Sequence, residues 1–83
     1  MGKLAILHVI REGDSLKVVL KNYVNSKLEN EYTCENVKSI IITGNEPYGL
    51  RMPMGMDHRF TTIVFPEKNA KLSCSDTEAK VLL

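Results

Sequence analysis

The stretch 4-LAILHVIREGDSLKVVLKNYV-24 decides the predicted fold. It contains two runs rich in aliphatic and β-branched residues, separated by the acidic, glycine-containing segment 12-EGD-14. Two such runs around a short glycine turn are typical of a β-hairpin. We therefore predict an antiparallel pair of strands that turns at Gly13.

The two strands of this hairpin differ in their patterns. The second alternates, with one set of residues predicted to face a core and the other to face mostly water: Leu16, Val18 and Leu20 against Lys17, Val19, Lys21 and Tyr23. The first, residues 4–11, is apolar on both sides. This indicates a central strand that is covered on both faces, either by the rest of the fold or by another copy of the chain.

Further strand-like runs follow along the chain. We expect a polar loop at residues 25–30, and then a strand or two strand pieces over residues 31–43, with Asn36 at a kink or bulge. Residues 60–65 and 70–74 also have strand patterns, and Pro66 closes the first of them.

The C-terminal residues suggest a different element. Ser75 is followed three residues later by Glu78, which is the spacing of a helix capping box, and Asp76 would place a negative charge in the first turn. We therefore predict a short C-terminal helix starting at Ser75, which would need to dock on the sheet to be stable.

Together these elements predict one small, mainly β domain over residues 1–83, with five to seven strands and a short C-terminal helix. The expected architecture is a partly open barrel or a curved antiparallel sheet. The alternative is an α+β fold in which part of residues 45–60 forms a helix. At this size, self-association into a homo-oligomer is expected to be within reach.

Charge and motifs argue against several functional classes. The sequence contains eleven Lys and Arg and ten Asp and Glu, which gives a formal charge of +1. A protein that binds polyanions in general is therefore disfavoured. Asp57 and His58 are adjacent, but neighbours in an extended chain point to opposite sides. Nucleophile motifs, phosphate-binding glycine loops and closely spaced metal ligands do not occur in the sequence. We predict no enzyme, no cofactor and no metal site.

Two cysteines, Cys34 and Cys74, are too few for a disulfide scaffold. We interpret them as buried free thiols, with a single Cys34–Cys74 bridge as the alternative. The N-terminal apolar run is interrupted by His8 and has no small-residue cleavage site, so we expect no signal peptide. With no apolar run of membrane-spanning length, we predict a cytoplasmic protein without a membrane contact.

The segment 48-YGLRMPMGMDHRF-60 is irregular and rich in methionine. Methionine adapts to varied surfaces, and it also fills gaps in cores, so the segment is interpreted as a partner-binding loop or as a plug of the core. The candidate partner-binding residues are Tyr48, Arg51, Met52, Met54, Met56, His58 and Arg59.

The predicted function is a small non-catalytic protein-binding or assembly protein, such as an adaptor, an inhibitor or an oligomeric subunit. It would act through the loop at residues 48–60 or through a strand edge. The expected partner is another protein, including a second copy of the chain. The alternative is a single-stranded nucleic-acid-binding module. In that case the aromatic rings of Tyr48 and Phe60 would stack on bases, and Arg51 and Arg59 would contact the nucleic acid.

Overall fold

The computed structural model describes residues 2–43 and 60–83 of the chain. These residues form seven strands, which confirms a mainly β fold. The strands are β1 (Lys3–Glu12), β2 (Ser15–Val24), β3 (Lys27–Val37), β4 (Ser39–Thr43), β5 (Phe60–Pro66), β6 (Lys71–Ser75) and β7 (Glu78–Leu82). The helix expected in part of residues 45–60 falls almost wholly outside the described residues, and its last position, Phe60, is the first residue of β5.

The strands are arranged in two sheets. The four-stranded sheet has the order β3-β2-β1-β5, and all of its pairs are antiparallel. The three-stranded sheet has the order β4-β7-β6, in which β4 and β7 are parallel. The sequence predicted a partly open barrel or a curved antiparallel sheet. The strands instead form two sheets, one of which contains a parallel pair, and over the described ranges these sheets do not close into a barrel. β1 lies between β2 and β5, as its two apolar faces predicted.

The predicted hairpin is confirmed. β1 and β2 pair from Lys3 with Val24 to Glu12 with Ser15, which leaves a two-residue turn. Gly13 occupies its first position with a φ of 63°, in the left-handed region that glycine adopts without steric cost.

The connection between β2 and β3 is shorter than the predicted loop at residues 25–30. It consists only of Asn25 and Ser26, both with positive φ, as in the type I′ turns that join twisted strands. The strand β3 therefore already begins at Lys27.

The bend predicted at Asn36 is also present. Asn36 has a φ of 58° and lies where the register of β3 against β2 shifts. The chain then passes through Lys38 into β4 of the other sheet. This bulge is the point at which one long β-prone run is divided between two sheets.

The prediction of a C-terminal helix is wrong. Asp76 and Thr77 form a two-residue turn between β6 and β7, and Asp76 has a positive φ, which Asp tolerates better than most residues. The strand β7 buries Ala79 and Val81 completely, with Lys80 and Leu82 exposed. Because a nine-residue helix is marginal alone, the alternating pattern that fills the centre of a sheet prevails.

The core lies between the two sheets. The four-stranded sheet contributes the buried face of β1 and its neighbours, and the three-stranded sheet contributes residues of β6 and β7. Its completely buried side chains include Leu7, Val18, Leu20, Phe65 and Val81.

A disulfide joins Cys34 of β3 to Cys74 of β6, with a Cα–Cα distance of 5.7 Å. The interpretation of both cysteines as free thiols is therefore wrong, and the alternative of a single bridge is the one observed. The sequence separation of 40 residues hid the pairing, because only the packing of the two sheets brings β3 beside β6.

Candidate functional site

The seven candidate partner-binding residues, Tyr48, Arg51, Met52, Met54, Met56, His58 and Arg59, all lie outside the described residues. Their role in binding stays a prediction. The structure describes candidate surfaces only within residues 2–43 and 60–83.

Within these ranges, no group of three or more His, Cys, Asp and Glu residues is placed to hold a metal ion. No helix long and apolar enough to cross a membrane occurs in the described part of the chain. His8, the one described histidine, lies with its Nδ1 atom 3.4 Å from Thr62 Oγ1 on the exposed surface of the sheet. The more informative features are the two edges of the four-stranded sheet.

The register of β5 against β1 decides which of its backbone groups face outward. Glu67 N–H donates to Lys3 C=O at 2.8 Å, so this position pairs directly with β1. In antiparallel strands, residues that bond the neighbour alternate with residues that do not. Counting back from Glu67, Phe65 and Ile63 direct their backbone groups toward β1.

Thr62 and Val64 therefore direct their N–H and C=O groups away from β1, toward the opposite side of β5. Among the described residues, no strand pairs on that side. Pro66, which ends β5, has no N–H to offer there. The outer edge of β5 is thus a short row of backbone donors and acceptors that ends at a proline.

Within the described residues, this edge lacks the charges and bulges that usually protect sheet edges. Charged side chains, bulges and covering segments keep other strands from pairing with an edge. The strand β5, FTTIVFP, contains no charged residue and pairs with β1 without a register shift.

The opposite edge, β3, is protected by charges and bulges and is also tethered by a disulfide. Its eleven residues include Lys27, Glu29, Glu31 and Glu35, all exposed. Two register shifts interrupt its pairing with β2. The Cys34–Cys74 bond also ties it to the other sheet.

An apolar surface adjoins the β5 edge. The face of the four-stranded sheet that is turned away from the core, here called the outer face, carries the half-buried Leu4, Ile6 and Ile10 of β1 together with His8. Val64 lies directly opposite Ile6 and is 47% exposed. A strand added at β5 would extend this surface and cover part of Val64.

A second uncharged edge is formed by β4, whose Ile41 is 40% exposed. It is only five residues long, which gives fewer outward backbone groups than β5. We therefore regard the β5 edge as the principal candidate site.

The sequence analysis predicted a strand at residues 60–65 and an exposed strand edge, but it did not single out Thr62 and Val64. The available signal was the run 60-FTTIVF-65, which lacks charge and ends at a proline. That signal could not show which side of the strand would stay open.

Comparisons of the chain with protein-family models, with curated proteins and with solved structures each found no match.

Proposed function

We propose that this chain is a small non-catalytic protein-binding or assembly module that binds its partner at the β5 edge. The observation that supports this proposal is a charge-free edge strand with outward backbone groups at Thr62 and Val64. The opposite edge of the same sheet is charged, bulged and tethered.

The mode of binding is the addition of an extended strand to the sheet. In such complexes the main-chain hydrogen bonds provide affinity, and alternate side chains provide specificity. The backbone groups of Thr62 and Val64 would bond the added strand. The Val64 side chain and the adjacent apolar outer face would select apolar residues in it.

The loop part of the predicted function, residues 48–60, lies mostly outside the described residues. A contribution of this segment to the same binding surface remains a prediction, and so does the single-stranded nucleic-acid alternative. The latter requires affinity that falls steeply with salt, whereas strand addition to an uncharged edge does not.

The cytoplasmic location also stays a prediction. The Cys34–Cys74 disulfide argues against it, because structural disulfides persist in oxidising compartments and are rare in the cytosol. An extracytoplasmic binding module is the form of the proposal that fits the bond best.

The proposal is tested by selecting peptides from a displayed random library on the immobilised wild-type chain. Val64→Lys places a charge on the binding edge. It is expected to lower the affinity of the selected peptides at least about tenfold, because edge lysines oppose strand addition. Leu28→Lys is the matched control, since Leu28 is 50% exposed on the opposite edge of the same sheet.

Equal loss of binding in both variants would contradict a site at β5, and so would unchanged binding in Val64→Lys. Thermal unfolding of both variants shows that the fold is retained, since neither substitution changes a buried side chain.

A further inference from the structure

We infer that the partner of the β5 edge is a second copy of this chain, with two β5 strands pairing antiparallel about a two-fold axis. This rests on the proposed function, in that it takes β5 as the binding edge. It adds the identity of the partner and the register of the contact.

The outward backbone groups set the register. With the axis at Thr62, this residue lies opposite Thr62 of the second copy, and Val64 lies opposite position 60. Each outward pair exchanges two backbone bonds, so the three pairs give about six. In this register all three pairs have both of their donors, because Pro66, which has no N–H, lies outside them.

Charge favours pairing with a copy of β5 over pairing between two β3 edges. Two β5 strands bring no like charges together, because the strand is uncharged throughout. Two β3 strands would instead bring glutamates near glutamates, since three of its residues are Glu29, Glu31 and Glu35.

The symmetry of the contact also closes it. Antiparallel pairing of identical strands is isologous, so the same edge is used on both copies and none remains for a third. The product is a continuous eight-stranded sheet, in which Thr62 and the neighbouring His8 of the two copies lie nearest the axis. The expected assembly is therefore a dimer rather than a filament.

The test compares the wild-type chain with two substitutions at the axis. Thr62→Pro removes the outward N–H without removing a bond to β1, because proline is tolerated where an edge N–H faces solvent. Thr62→Val keeps the N–H and the shape of the side chain. Sedimentation over a range of concentrations should show a wild-type dimer and a Thr62→Val dimer of similar affinity. In Thr62→Pro the dimer affinity should fall at least about tenfold, which shifts the chain toward monomer.

Hydrogen exchange locates the contact independently of the substitutions. In the wild-type chain, exchange at the Thr62 and Val64 amides should slow as concentration rises. Exchange at Ile63 and Phe65 should not follow concentration in this way, because the register already pairs these amides with β1.

The outcomes separate this inference from the function on which it rests. A wild-type chain that stays monomeric at about millimolar concentration, or a dimer unaffected by Thr62→Pro, overturns the second-copy inference. In that case, selected peptides that bind wild type and lose affinity for Val64→Lys still support β5 as a binding edge for another protein. Loss of both results overturns the proposed function as well.

Discussion

The two edges of the four-stranded sheet, β3 and β5, are both antiparallel edge strands but differ in charge, in bulges and in tethering to the other sheet. The edge at β3 has four charged residues, two register shifts and a disulfide to the neighbouring sheet. The edge at β5 has no charged residue, and its pairing with β1 has no register shift. Because open edges invite pairing with other chains, selection against aggregation should protect both. The unprotected edge is therefore the one that we expect to be used.

The largest expected effect concerns the disulfide that holds the β3 side. Reduction of Cys34–Cys74 should lower the free energy of unfolding by about 3 to 4 kcal/mol, because the bond closes a loop of about 40 residues in the unfolded chain. Denaturant unfolding with and without a thiol reductant measures this difference.

The double variant Cys34→Ala with Cys74→Ala serves as the control, and its unfolding should not respond to the reductant. Equal unfolding midpoints of the wild-type chain in both conditions would contradict a stabilising role for the bond.

A smaller loss of stability is expected on substitution of Asn22 in β2, because its side chain bonds both Asn30 of β3 and Ala70, the residue before β6. This completely buried side chain donates to Ala70 C=O at 2.7 Å and accepts from Ala70 N–H at 2.9 Å. It also donates to Asn30 Oδ1 on β3 at 2.7 Å. It thereby fixes the segment that follows β5 against β2 and β3.

Asn22→Ala should destabilise the fold by about 1 to 3 kcal/mol, because it leaves the Ala70 backbone groups without a partner. Asn30→Ala removes only one of the three bonds, so its cost should be below about 1 kcal/mol. Chemical unfolding of both variants measures the difference, and a larger loss in Asn30→Ala would contradict the role given to Ala70.

Removing the charges of β3 should have the smallest effect on stability. It directly tests the comparison between the β3 and β5 edges. Replacement of Glu29, Glu31 and Glu35 by threonine should leave the free energy of unfolding within about 1 kcal/mol, since all three side chains are exposed. It should increase self-association, because the edge loses the charges that oppose pairing.

The matched control replaces the same three glutamates by lysine, which keeps the edge charged. Light scattering over a range of concentrations should rise for the threonine variant alone. Equal behaviour of the two variants would show that the bulges and the disulfide protect β3 without its charges.

Much of the fold could be predicted from the sequence because the signals are local. The alternation in residues 15–24 and the glycine at position 13 predict a hairpin without knowledge of its neighbours. The bend at Asn36 follows from a polar residue that adopts positive φ more readily than most.

The C-terminal region shows the limit of such local signals. The run Ser75–Asp76–Thr77–Glu78 fits both a helix cap and a tight turn. The segment forms a strand because, between β4 and β6, a strand buries Ala79 and Val81.

The sequence by itself thus determined which segments are extended, which of their faces are apolar, and that β1 is central. Only the tertiary structure decided that Cys34 bonds to Cys74 and that β5 is an edge strand. It also decided that the backbone groups of Thr62 and Val64 point away from β1. The physical reason is that side-chain alternation is set by each strand's own backbone. Edge position and disulfide pairing instead depend on contacts between residues distant in the chain.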